Sequence, residues 1–228
     1  MAATSTADEI CKYAYEGNLA SLRFKLDGNK ELATKKDTSG RTPLHWAASG
    51  GRTDVAEYLL SLDIPVDERD ETQWTPLIIA SSAGRVQIVH DLIACGAQVN
   101  AVNSTGQSSL HYASSKGWME ICEMLIKNGV DIDCVDSLGH TPLHRAASKG
   151  NLAVVQLLFS SEAKLDLRDN TGCTPLHLAC EDDKGEVARL LIKHGAKIDI
   201  RNNDKKTAFE LAPKTLKHNL ENSFQHIR

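Results

Sequence analysis

Aromatic residues are scarce in this 228-residue chain, at 5% of the total, and only three are tryptophan. With so few available, an aromatic at an exposed position carries information about binding. A dominant charge is also lacking: 26 basic residues stand against 30 acidic ones, a net charge of −4. Nucleic-acid binding normally demands a basic domain or stripe, so that partner class is not expected. No apolar run approaches the length of a membrane span. The first residues, Met1 to Ile10, are polar and lack the apolar stretch of a secretory leader. The cysteines, Cys11, Cys95, Cys122, Cys134, Cys173 and Cys180, form no Cys-x-x-Cys pair. They read as free thiols in a reducing compartment, so the expected location is cytoplasmic and nuclear. A glycine motif that would cradle phosphate is missing, and no Ser, His and Asp suggest a triad. No catalytic residue, metal or cofactor is therefore expected, and the reading turns from catalysis to binding.

What the chain does have is a period. Thr42-Pro43-Leu44-His45 recurs as Thr75-Pro76-Leu77-Ile78, Ser108-Ser109-Leu110-His111, Thr141-Pro142-Leu143-His144, Thr174-Pro175-Leu176-His177 and Thr207-Ala208-Phe209-Glu210, always 33 residues apart. Self-similarity at this interval is the signature of the ankyrin repeat, a turn followed by two helices. In each unit an Asp or Asn opens a turn: Asp37, Asp70, Asn103, Asp136, Asp169 and Asn202. Thr42 is placed to cap a first helix, and Pro43 in that helix's first turn forfeits no needed N–H. A second helix carries Val55 and Leu59, each repeating in phase through Val187 and Leu191. Gly96, Gly129 and Gly195 suit the left-handed position after that helix; Asp63 and Glu162 replace this glycine, so those two ends are expected to be less regular.

The expected fold is all-α, an ankyrin-repeat solenoid of seven repeats with hairpin-like turns, forming a single domain over residues 1–228. Residues 8–36 keep the helical spacing but lack the motif and read as an N-terminal capping repeat; five internal repeats fill 37–203, and 204–228 form a C-terminal capping repeat. Pro213 should cut the first helix of that last repeat short.

His45, His111, His144 and His177 share one repeat phase, which stacks them about a helix diameter apart, roughly 10 Å. Zinc needs nitrogen ligands at about 2.0–2.1 Å, so a structural role inside each turn is expected instead. His140 and His144 have metal-like spacing, but one precedes the turn and the other follows it, so they should not share a helix face.

Turn tips and the open face of each first helix form the recognition surface of such arrays. Arg41, Trp74 and His140 occupy tips; Trp46, Ile79, Tyr112 and Arg145 follow the motif's fourth residue; Ser82, Ser115, Lys116, Arg85 and Trp118 come one turn later. All three tryptophans fall in this set. The competing reading is that Trp46 and Trp74 fill the core between repeats, and Trp118 is open to either. Towards the C-terminal end the same phase turns acidic with Glu181 and Asp182.

Arg41-Thr42-Pro43-Leu44-His45-Trp46-Ala47, Ala97-Gln98-Val99-Asn100-Ala101-Val102-Asn103, Leu110-His111-Tyr112-Ala113, His144-Arg145-Ala146-Ala147 and Lys149-Gly150-Asn151-Leu152, together with the repeat count, resemble the gankyrin family of proteasome regulatory-particle assembly chaperones. The resemblance implies a monomer that binds the C-terminal domain of a proteasomal ATPase subunit. It implies that Arg41 and Lys116 pair with acidic side chains of that domain, with Trp46, Trp74, Ser82, Arg85 and Ser115 packed around them. Glu181 and Asp182 would meet basic residues of the same partner. A regulatory adaptor that binds a cyclin-dependent kinase or ubiquitin ligase through Ile79 and Leu62 is the alternative. The family's Leu-x-Cys-x-Glu motif reads Leu178-Ala179-Cys180-Glu181-Asp182 here, with Asp for the final Glu and a helical phase.

Overall fold

The computed structural model describes residues 6–224. The chain folds all-helically, and among the described residues its only β-pairing is the isolated antiparallel bridge between Val102 and Ser108. Two compact units result, Met1–Ser109 and Leu110–Arg228, and each is described by itself.

The first unit holds α1 (Thr6–Glu16), α2 (Leu19–Gly28), a 3-10 turn (Lys30–Thr34), α3 (Pro43–Gly50), α4 (Thr53–Leu60), α5 (Pro76–Ser82) and α6 (Val86–Ala94). The first helices α1, α3 and α5 pack side by side, while α4 and α6 pack behind them. Each first helix presents small residues to its neighbour (Ala47 and Ala48 are fully buried), which lets short helices approach closely. The second helices supply Val55, Leu59, Ile88 and Leu92, also fully buried or nearly so. Removing one such leucine side chain costs about 2–5 kcal/mol, so these columns are what each repeat contributes to the fold.

The second unit holds α7 (Ser109–Lys116), α8 (Met119–Lys127), α9 (Pro142–Lys149), α10 (Leu152–Ser160), α11 (Pro175–Glu181), α12 (Gly185–Lys193), α13 (Ala208–Leu211) and α14 (Lys214–Phe224). Helices α9, α11 and α13 form its front row, and α8, α10 and α12 its back row. Proline shortens α13 to four residues, since Pro213 follows an extended Ala212. At the other end α1 already contains Thr6, ahead of the start at residue 8 that the spacing suggests.

Backbone bonds tie successive turns together. The Glu71 N–H donates to the Ser39 carbonyl at 3.3 Å and Ser104 to Thr72 at 3.0 Å; in the second unit Asn170 donates to Leu138 at 3.0 Å and Asn203 to Thr171 at 2.9 Å. Within each turn the Asp or Asn side chain does the closing. Asp37 Oδ1 accepts from Ser39 N–H at 2.8 Å and Arg41 N–H at 2.9 Å, and Asn103 Oδ1 accepts from Thr105 and Gln107 in the same way.

One expectation holds only in part. Asp63 and Glu162 both adopt the left-handed backbone, with φ of 55° and 67°. The helix before Asp63 ends one residue early, at Leu60, but α10 before Glu162 keeps its full length to Ser160. The turn hydrogen bond from Glu162 N–H to Phe159 O, at 2.9 Å, is as short as that from Gly96 to Ile93. Packing therefore imposes the conformation, and the side chain bears the steric cost. Glu162→Gly should raise the unfolding free energy by about 1 kcal/mol, because the left-handed clash outweighs the extra freedom glycine has when unfolded. Urea denaturation measures this, and an unchanged or lower midpoint would show that the glutamate bears no such cost.

Candidate functional site

The motif histidines close their own turns. Thr42 N–H donates to His45 Nδ1 at 3.1 Å, and His45 Nε2 lies 3.1 Å from the Trp74 carbonyl. Nδ1 must accept and Nε2–H must donate, which fixes the neutral tautomer. His144 repeats this with Thr141 N–H at 3.1 Å and the Cys173 carbonyl at 3.1 Å, and His177 with Thr174 at 3.2 Å and the Lys206 carbonyl at 3.2 Å. All four imidazoles are buried. Burial pushes each of them below the usual histidine pKa, His144 to about 4. The His140 and His144 rings are nearer than their spacing suggested, with centroids 5.7 Å apart. Although they share no helix, the tip residue folds back over the first turn of α9. Among the described residues no three His, Cys, Asp or Glu side chains group as metal ligands would.

The second oxygen of each turn aspartate meets a side chain from the same or the preceding repeat. In the first unit, Trp46 donates its indole N–H to Asp37 Oδ2 at 2.7 Å, and Arg41 Nε donates to Asp70 Oδ2 at 3.0 Å. The Arg41 guanidinium also lies over the Trp46 ring, 5.1 Å from its centroid. Tyr15 of α1 meets that ring edge-on at 5.7 Å. In the second unit, Arg145 is ion-paired with Asp136, and His140 Nε2 lies 3.2 Å from Asp169 Oδ2. Burial works against ionisation of these aspartates. Hydrogen bonds from the turn and from the cationic or indole donors outweigh it, so Asp37, Asp70, Asp136 and Asp169 all lie below the usual carboxylate pKa.

Several expected binding residues lie where the phase placed them. Trp46 and Trp74 are half-buried, which leaves each an exposed part, and Ser82 is half-buried at the end of α5. Arg85 is exposed, and its Nη2 donates to the Ser49 carbonyl at 3.3 Å. In the second unit Tyr112 and Ser115 are half-buried and Lys116 is exposed, all on α7. Glu181 and Asp182 are exposed at the end of α11, where the Ser148 hydroxyl donates to Asp182.

Two expectations need correction and one open choice is resolved. Ile79 is only 6% exposed, so its side chain belongs to the core of the first unit; the repeat phase is that of Trp46, but a β-branched aliphatic is small enough to turn inward. Trp118, left open between surface and core, is 41% exposed; like Arg85 one repeat earlier, it is the residue that precedes a second helix. Arg41 and Arg145 are not open charges, because each already holds a turn aspartate of its own chain. Residues 178–181 are helical, with Leu178 half-buried and Cys180 fully buried, so they form a helix face and offer no extended peptide. Tyr15, which the sequence left unmarked, contributes because α1 packs against α3; its repeat lacks the motif that would have flagged it.

Comparison with known proteins adds the following. The family model for ankyrin repeats in three copies matches residues 1–103 and 86–169, and the single ankyrin repeat model matches 171–203. The mouse 26S proteasome non-ATPase regulatory subunit 10 is 46% identical over 65 residues, 28% of this chain and 28% of that protein. Its human counterpart shows the same identity over 65 residues, 28% of this chain and 29% of that protein. The match thus spans little more than a quarter of the length of these relatives. Chicken inversin is 36% identical over 70 residues, 31% of this chain and 6% of inversin. Among solved structures, the human ASB11 ankyrin repeat domain superposes with a TM-score of 0.86 at 27% identity, covering 93% of this chain and 96% of that one. Repeat phase, the histidine-closed turns and these matches agree: the chain belongs to the ankyrin-repeat family, whose fold is a scaffold for protein–protein interaction.

Proposed function

We propose that this chain is an assembly chaperone that holds the C-terminal domain of a proteasomal ATPase subunit while the regulatory particle is built. The observation that carries this reading is the local identity to the proteasomal non-ATPase subunit 10 of mouse and human. The aromatic and basic side chains on the front helices support it. Trp46 and Trp74 are half-buried, so each is anchored by its repeat and still offers ring surface to a partner. Arg85 in the first unit and Lys116 in the second are exposed cations. Partially buried tryptophan and arginine are the residue types that dominate interface energetics. Glu181 and Asp182 add negative charge on the second unit, and charge of both signs on one binder fixes the orientation of a partner more than its affinity.

The ion pair of Arg41 decides how the reading is tested. Reversal to Glu would set two carboxylates against each other at Asp70 and report on folding. The informative variants are Lys116→Glu, Trp74→Ala, and Arg41→Gln combined with Asp70→Asn, which removes both partners of the pair together. Binding of the purified chain to the separate C-terminal domains of the proteasomal ATPases is measured by calorimetry. One domain should bind, and Trp74→Ala should weaken it by about 2 kcal/mol, roughly thirtyfold. If none of the domains binds, the reading fails. A pull-down from cells that returns cyclin-dependent kinases or ubiquitin ligases without proteasomal ATPases would replace it with a regulatory adaptor.

A further inference from the structure

A cleft of about 220 Å³ opens in the first unit, lined by Asp8, Cys11, Lys12, Tyr15, Asp37 and Trp46. Pockets for small-molecule ligands usually measure roughly 300–1,000 Å³, so this one is sized for a single side chain. Two of its walls are aromatic. The Tyr15 and Trp46 rings meet at 88°, which makes a corner, not a flat slot. Aromatic faces attract cations, and Trp46 already carries one in Arg41. That guanidinium is neutralised by Asp70 at 3.0 Å, so it adds little positive charge to the cleft. Among the described residues Lys12 is the one cation in the lining, and Glu16 faces it at 3.8 Å.

The remaining charge is negative. Asp37 is held ionised by its turn hydrogen bonds and the Trp46 indole. Asp8 and Asp37 both line the cleft beside Cys11, whose thiol is raised to about 12 by burial first and by these two charges next. Aromatic walls with carboxylates beside them match an alkyl stem that ends in a positive charge. A planar guanidinium needs a slot or a flat face, whereas a compact ammonium fits a corner.

We propose that this cleft receives the ammonium group of one lysine side chain from a partner protein. The site lies within the first unit, uses Tyr15 and Asp8, and does not depend on which protein occupies the front helices. Its failure and the failure of the chaperone reading are therefore separable.

The test follows the indole N–H of Trp46 by 15N NMR, assigned with Trp46→Phe, as N-acetyl-lysine amide is added. N-acetyl-norleucine amide has the stem without the charge, and N-acetyl-arginine amide has the charge on a planar group. Lysine should give a saturable shift, with the other two at least several-fold weaker. Tyr15→Ala and Asp8→Asn should each abolish saturation while the Trp74 signal stays in place, showing that the fold is kept. Equal responses to lysine and norleucine, or a lysine response unchanged in both variants, would overturn the site. An arginine response equal to that of lysine would overturn the choice of ammonium.

Discussion

Arg41→Ala should lower the unfolding free energy by about 2–3 kcal/mol, and Asp70→Asn should recover most of that loss when the two are combined. Asp70 is 3% exposed in its side chain and accepts bonds at 2.9 Å from Thr72 and Trp74 through one oxygen. Arg41 alone satisfies the other oxygen, at 3.0 Å. Without it the carboxylate keeps its charge and loses its counterion in a place that water hardly reaches. Breaking a fully buried pair costs about 3–5 kcal/mol; the estimate here is lower because the Arg41 side chain is 26% exposed and partly screened. Asparagine retains the turn bonds through its carbonyl oxygen and carries no charge that needs a partner. A double-mutant cycle in urea reads the coupling directly. If the two losses simply add, the pair contributes nothing beyond its separate members and the account of this turn is wrong.

Acidification should destabilise the protein well before its aspartates titrate. His144 is neutral in the fold, with a pKa lowered from 6.5 to about 4 by burial. An unfolded chain takes up a proton that the folded chain refuses, so stability is full above pH 6.5, falls as the pH drops, and levels off below about 4. The loss from this one residue is on the order of 3 kcal/mol. His45, His111 and His177 shift in the same direction and add to it. Geometry works in the same direction as burial: Nδ1 accepts the Thr141 N–H, so a proton there removes the acceptor that closes the turn. The turn aspartates lie below the usual value of 3.8, so their contribution begins to fail only near the bottom of this window. Urea midpoints measured stepwise from pH 7 to 4 should fall steadily, and less steeply in His144→Gln. A flat profile, or an identical slope in that variant, would contradict the neutral tautomer.

Much of this was written plainly in the sequence. The interval of 33 places the helices of the internal repeats, and the columns Val55 to Val187 and Leu59 to Leu191 are the buried ridges. Periodicity works here because a repeat buries the same face each time. It fails where side chains from different repeats meet. The Arg41–Asp70 pair joins residues 29 positions apart, and no local pattern announces it. A weaker sign was present in the alternation of the turn column. Aspartate stands at 37, 70, 136 and 169, where Trp46, Arg41 and Arg145 donate to the second oxygen of the first three and His140 Nε2 lies 3.2 Å from that of the fourth. Asparagine stands at 202, where the preceding tip is Cys173 and Asn202 Nδ2 donates to its sulfur at 3.5 Å. A charge is placed only where another group can answer it. Ile79 misled because phase gives the direction of Cβ and not whether a short branched side chain bends inward. Tyr15 was invisible because its meaning comes from the helix it packs on.

The bond from each motif histidine to the next turn has a consequence for how such a molecule diversifies. The acceptor is always a main-chain carbonyl, and the residues that own it are Trp74, His140, Cys173 and Lys206. Four side chains with nothing chemical in common thus occupy equivalent posts, because the scaffold grips only the peptide unit there. The histidine bond therefore sets no limit on the side chain at these positions; what limits it is the Asp or Asn of the following turn, so a tip and that turn residue change together.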